Sequence, residues 1–429
     1  MALPKLRQDA TSARLETVVL PTGAAWAMTA RRAALDRVAA MGLPQRRDEY
    51  WRYTDPATLV SREAPKAAVL EDLETPVFDG VDRLRIVFVD GIFDAEVSDD
   101  LTLSGIEIER LVEATQRDIH WAKDLYGVLE TRGQKPVERT LAALNTALAQ
   151  DGVVIRVTGK VSKPVHLTYL HRQDQSDAML HSLIRLEPGA EMTLLENGPA
   201  AARFSNVIEV EIGDGARLHH IRVQGRDHER RALTHCFVRL GTESQFKSFT
   251  LTLNGKLTRN ECVVELTGDD AVAHVAGAAL GDGPDFLHDD TVFITHDALA
   301  CESRQVFKKV LRNGATGVFQ GKILVKPGAQ KTDGYQISQS LLLDDDSQFL
   351  AKPELEIYAD DVVCSHGSTS GAIDETALFY LRSRGVPTQA ATDLLVLAFL
   401  AEALEEIEDA SLADDLRGRL EGWLARRRR

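Results

Sequence analysis

A chain of 429 residues that is 44% hydrophobic is longer than one compact domain usually holds, and it can bury a large core. Its net charge of −15 argues against a general nucleic-acid binder, because phosphate contacts need Lys and Arg. No apolar stretch reaches the length of a membrane span and the N-terminus lacks the apolar core of a secretory signal, so the expectation is a soluble, cytoplasmic protein with no membrane partner.

Residues 1–150 are mostly helical in pattern. Ala24 to Met41 carries apolar residues at helical spacing and stops at Gly42-Leu43-Pro44. In the following RRDEYWRYTDP, Tyr50, Trp51 and Tyr53 read as packing anchors rather than a base-stacking platform. Leu84 to Phe93 predicts two short strands around Asp90-Gly91. Ile106 to Leu129 and Val137 to Leu148 return to helical periodicity.

Residues 151–371 change character. Short apolar runs such as VVIRV, VIEVEI, LHHIRV, HCFVRL, CVVEL and TVFIT are separated by turn signals. Gly189, Gly215, Gly241 and Gly268 lie 26, 26 and 27 residues apart, a period that stacked solenoids produce. No helical pattern is long enough for crossovers between parallel strands, so a doubly wound fold is excluded, and recurring turns favour a β-helix over a sandwich. Residues 372–429 turn helical again. The segment TQAATDLLVLAFLAEALEEI has a broad apolar face (Leu394, Leu395, Leu397, Ala398, Leu400, Ala401, Leu404) that must be buried against the solenoid or a partner. The terminal basic run Arg426 to Arg429 reads as a solvated end.

Cys236, Cys262, Cys301 and Cys364 form no CxxC pair and fit a reducing compartment. Gly317 to Lys322 has only three residues between its glycines and Ile323 after the Lys, so it is not a phosphate loop and no ATP binding is expected of it. Gly367 to Gly371 has Thr369 where a nucleophile elbow needs Ser. His219 and His220 point to opposite faces of a strand, poor for chelation. His288, Asp289, His296 and Asp297 could hold a metal but read better as solvated turn residues. Asp344 to Asp346 and Asp360-Asp361, the carboxylates a carbohydrate-active β-helix would need, also read as turns.

Cys364-Ser365-His366 follows a strand-like run, Leu355 to Val363. If the strand continues, positions 364 and 366 share a face. A thiolate and an imidazole on one face suit zinc, copper or an iron–sulfur cluster. Two ligands are too few for a closed site, and a buried thiol beside a core histidine is the competing reading.

Several blocks carry a family resemblance: RRDEYWRYTD (46–55), GKILVKPGAQKTDGYQ (321–336), LLLDDD (341–346), KPELEIYADDVVCSHGSTSG (352–371) and DETALFYLRSRG (374–385). With them the chain resembles the SufB/SufD family of iron–sulfur cluster assembly proteins along nearly its whole length, and within it the SufD branch. The resemblance implies a mainly β fold: a right-handed parallel β-helix core with a helical N-terminal region and a C-terminal helical domain. It implies a non-enzymatic scaffold that pairs with SufB through the β-helix and engages the SufC ATPase through its C-terminal helices (372–429). It implies a transient iron–sulfur cluster shared with SufB, with His366 first and Cys364 second as ligands, and ATP hydrolysis left to SufC. Exposed strand edges at the solenoid ends make a homodimer plausible when SufB is absent.

Overall fold

The computed structural model describes residues 4–16, 18–69, 76–198, 200–225 and 228–426. Of the terminal basic run, residues 427–429 lie outside the described residues.

The chain is 40% strand and 24% helix, and its centre is a β-solenoid of about seven turns. Each turn contributes one strand to each of two sheets. Asp177–Leu186, Arg203–Ile212, Arg231–Leu240, Leu257–Leu266, Leu287–His296, Thr316–Val325 and Gln348–Ile357 stack in a sheet of nine described strands. Glu191–Asn197, Arg217–Gln224, Gln245–Leu253, Val272–Asp282, Glu302–Arg312, Thr332–Leu342 and Val362–Gly371 stack in a sheet of ten. Within these stacks every neighbouring pair is parallel.

The glycine period is real, but it combines two structural positions. Gly189 and Gly215 occupy a corner with positive φ, and Glu243, Asp270, Ala300 and Lys331 take the same corner in later turns. There each backbone N–H donates to the next turn, Gly189 to Asp214 at 2.9 Å and Gly215 to Thr242 at 2.8 Å. Gly241 and Gly268 belong two residues earlier, where successive turns nearly touch: a Cβ on Gly268 would stand 2.0 Å from the Thr242 nitrogen. The register offset also grows, from 26 residues (Glu191 to Arg217) to 30 (Thr332 to Val362).

Both outer faces of the solenoid are covered. On the ten-stranded sheet, Ile221, Val223, Phe249 and Leu251 pack against Val396, Leu400, Leu404, Leu416, Leu420 and Trp423 of the helices Thr388–Leu404 and Ala410–Arg426. On the nine-stranded sheet, the almost fully buried helix Thr140–Leu148 and the helix Ala25–Met41 cover Leu233 and Leu257. Trp51 is buried there under the Arg259 guanidinium, 4.2 Å from its ring, and Tyr50 meets Phe293 edge-on, so these aromatics are anchors as expected.

One detail differs from the sequence reading and another extends it. Ile106–Arg110 is a strand, antiparallel to Val153–Val157, because Ile106 and Ile108 alternate with Glu107 and Glu109. Leu84–Val89 and Ile92–Phe93 form the expected antiparallel pair, and Leu84–Val89 also pairs parallel with Val165–Leu170, which joins the pair to the end of the ten-stranded sheet. The N-terminal region therefore caps one end of the solenoid. Among the described residues no helix is long and apolar enough to cross a membrane.

Candidate functional site

The other end of the solenoid carries Cys364 and His366. Val362–Gly371 is the last strand of its sheet and bonds on one side only, to Thr332–Leu342. In that register Cys364 lies opposite Gly334 and His366 opposite Gln336. Both partners are inward-facing positions: a Cβ on Gly334 would meet the Cys364 sulfur and Ile323, and Gln336 is fully buried against Gly321 of the facing sheet. Alternation therefore puts positions 364 and 366 on one face, as predicted, and that face is the interior face of the last turn.

The two donors sit in different surroundings. Cys364 is half-buried and packs with Leu355 and Val362 on Ile323, Val325, Ala329 and Ala359. Burial pushes its thiol pKa up, with Asp333 adding to the rise and a backbone hydrogen bond from Gly334 opposing it. The sulfur is thus protonated at neutral pH, and binding a metal would release that proton. His366 is exposed. Among the described residues, no group of three or more His, Cys, Asp or Glu side chains is placed to hold a metal ion. Cys364 and His366 form at most half a site.

Among the described residues, no strand pairs with this end of the solenoid. Gln348–Ile357, the last strand of the other sheet, also bonds on one side only, to Thr316–Val325. Two ten-residue edges thus run side by side. Around them Val363 is 72% exposed and Tyr358 59%. Edges of this length invite pairing with another chain unless something blocks them. Beyond them the helix Glu375–Ser383, capped by Asp374, buries none of its residues and exposes Phe379 and Tyr380. The next helix buries Ala391, Val396, Leu400, Ala403 and Leu404, but Leu394 is half exposed, so the expected apolar face is only partly used within the chain.

The other candidates resolve into structure. Gly317 to Lys322 lies within a strand, and so does Gly367 to Gly371. Asp344 is a turn residue accepting hydrogen bonds from the backbone of Asp346 and Ser347. The reading of His288, Asp289 and His296 as solvated turn residues is wrong: all three are buried in the strand Leu287–His296. The error arose because both faces of that strand are covered, so its polar residues are enclosed rather than surface-facing. Asp289 faces the N-terminal region and accepts from Arg259 Nη1 at 2.5 Å and Thr54 Oγ1 at 2.5 Å.

His288 faces inward and belongs to a polar column that the sequence did not reveal. Glu196 accepts from Tyr169 (3.0 Å), Asn206 (3.1 Å) and Arg222 (2.9 Å), and its carboxylate lies 2.7 Å from His220 Nε2. Arg222 donates to Thr234, which bonds Asn260 at 2.8 Å; Asn260 reaches His288 Nε2 at 3.2 Å. His288 Nδ1 meets Lys309 Nζ at 2.9 Å, and Lys309 pairs with Asp290 at 2.7 Å. Burial opposes the charge on Glu196, but Arg222 and His220 outweigh it and hold the carboxyl well below its usual range. Burial, reinforced by Lys309, keeps His288 neutral. The signal was present: strand positions 218, 220, 222 and 224 read Leu, His, Arg, Gln, an interior face turning polar along its length.

Two family descriptions match successive parts of the chain. Residues 169–399 match the family described as SUF system FeS cluster assembly, SufBD core domain, and residues 16–167 match the SufBD protein N-terminal region. It is 28% identical over 404 residues to the iron–sulfur cluster assembly protein SufD of Escherichia coli (strain K12), covering 90% of each chain. It is 29% identical over 417 residues to an iron–sulfur cluster assembly SufBD family protein of Synechocystis sp., covering 90% of this chain and 89% of that one. SufD of Bacillus subtilis (strain 168) is 29% identical over 286 residues, 64% of each chain. With the core match spanning more than half of its length and the solenoid as its frame, the chain belongs to the SufBD family of the SUF iron–sulfur cluster assembly system, and is SufD-like within it.

Proposed function

We propose that the chain is a cytoplasmic, non-enzymatic scaffold subunit that pairs with a SufB-type subunit through the open end of its solenoid and presents His366, with Cys364 beside it, to a nascent iron–sulfur cluster at that interface. The observation that carries this reading is the coincidence of half a ligand set with two unpaired strand edges in the same last turn. A partner's edge would bring the missing ligands to the same place. The cluster is cargo, held until transfer. Cys364 binds iron only after losing its proton, and iron at His366 would lower that cost.

The C-terminal helices are the surface for the SufC ATPase. Phe379, Tyr380 and Leu394 supply exposed apolar contacts on them. Because these helices also pack on the solenoid through Val396 and Leu400, a pull on them reaches the last turns as a rigid-body displacement. In this reading ATP binding belongs to SufC, and Gly317 to Lys322 of this chain is strand. Without SufB, the same edges would serve a homodimer.

The test is His366→Ala in a strain that depends on this system. Loss of cluster-dependent growth, with the complex still intact on purification, supports the ligand role; unimpaired growth refutes it. A second reading follows from Cys364 being packed and protonated: the chain would be an adaptor and SufB would supply all ligands. Single His366 and Cys364 variants that fail only when the complex falls apart would favour it.

A further inference from the structure

His366 stands at the end of an amide ladder. Gln305 and Gln336 are register partners in adjacent strands, and both are fully buried on the interior face. Gln336 Nε2 donates to Gln305 Oε1 at 2.8 Å. The next residue in register is His366. Among the described residues Gln336 Oε1 is enclosed and has no hydrogen-bond partner. A buried carbonyl without a donor is costly, and native structures rarely leave one idle.

The surroundings fix this amide in place. A Cβ on Gly321, in the facing sheet, would lie 2.2 Å from Gln336 Nε2, so the absent side chain there makes the room the amide occupies. One N–H of the amide goes to Gln305, and its unpartnered oxygen is the acceptor it can offer to the last strand. The single polar side chain that follows it in the same inward column is the His366 imidazole.

We propose that Gln336 is a positioning residue for His366: its Oε1 accepts the N–H of one imidazole nitrogen and leaves the other, unprotonated, facing the open end. A histidine that binds a metal generally donates its second ring N–H to such an acceptor, which sets the tautomer and the ring orientation. The inference deepens the scaffold reading and rests on it for its purpose; in the structure His366 is exposed and Gln336 Oε1 has no partner, so the bond requires the imidazole to turn inward, which can be tested on the free chain. It also gives the fully buried Gln336 a role that composition alone would not suggest.

The test is nitrogen-15 NMR on the full-length, metal-free chain with labelled histidine, the His366 signals being assigned by their loss in His366→Gln. Wild type is expected to show a His366 imidazole N–H proton protected from exchange with water. Gln336→Leu, similar in size but without an acceptor, should lose that protection, and Gln336→Glu, which keeps an oxygen there, should restore it. Backbone amide spectra check that each variant is folded. In the complex, Gln336→Leu should weaken iron retention by about 10–100-fold. If His366 shows the same N–H behaviour in wild type and Gln336→Leu, or no protected N–H in wild type, the proposal is overturned, whatever His366→Ala does to cluster assembly. If the N–H responds as expected but His366→Ala assembles clusters normally, the ligand role falls and the hydrogen bond stands.

Discussion

Cys364 lies in register over Gly334, and the missing side chain of Gly334 is what leaves space for its sulfur: a Cβ there would stand 3.2 Å from Cys364 Sγ. Gly334→Ala should therefore cost about 1 kcal/mol, the low end for overpacking, because a half-buried thiol can give way by a few tenths of an ångström. Combining it with Cys364→Ala should remove most of that cost. Urea midpoints of the two single variants and the double variant measure the coupling. Strictly additive losses would mean that the two side chains do not compete for space.

The two glycine positions of the solenoid corners should respond differently. Gly268→Ala places a Cβ 2.0 Å from a backbone nitrogen that cannot move without separating two turns. Gly189→Ala meets nothing within 4 Å and suffers only from its φ of 73°. The second should cost about 1–2 kcal/mol and the first clearly more, as read from denaturant unfolding. Equal losses would contradict the packing account of Gly268.

Removing Asp289 should loosen the N-terminal region from the solenoid. Its carboxylate joins Arg259 to Thr54, and Arg259 also donates to the Tyr50 carbonyl at 2.7 Å. Asp289→Ala leaves the buried guanidinium with Glu261 as its remaining carboxylate partner, and a loss of about 3 kcal/mol is expected, at the lower end for breaking a buried pair. Limited proteolysis should then cut near residues 44–56. A loss below about 1 kcal/mol would show that Glu261 suffices.

Mild acid should destabilise the fold before its carboxylates titrate. His166, His219, His235 and His296 are each pushed down to about 4, chiefly by burial. The unfolded chain protonates the same residues near pH 6.5. Between pH 6.5 and 4 the unfolded state therefore binds more protons, so stability is fully present above that window and falls as pH drops through it. Each such histidine steepens the fall by up to about 1.4 kcal/mol per pH unit. Urea midpoints at pH 8, 7, 6 and 5 check this: a decline that begins below about 6.5 is expected, and a flat profile down to pH 5 would contradict it.

Much of this was legible in the residues, for identifiable reasons. The solenoid could be read because its strands are short and its turns recur, and the last strand because Leu355 to Val363 alternates into Cys364 and His366. Ile106–Arg110 was missed where a five-residue alternation sits before helical sequence. The polar column was missed because helices cover both outer faces: with no solvent side, a His or Glu in a strand looks like a surface residue when it is interior. Gly321 and Gly334 were visible as letters, but the room they make for Gln336 and Cys364 depends on chain segments 15 and 30 residues away. That Cys364 and His366 share a face was legible; that they fall beside two bare edges needed the register.

The central claim is that His366 completes a site whose other ligands lie on a partner. The direct measurement is co-purification of this chain with SufB and SufC under anaerobic conditions, followed by iron and sulfide analysis of wild type and His366→Ala. The account predicts complexes of equal yield and composition in which the variant retains at least about tenfold less iron and sulfide. Equal iron and sulfide in the two complexes would contradict it.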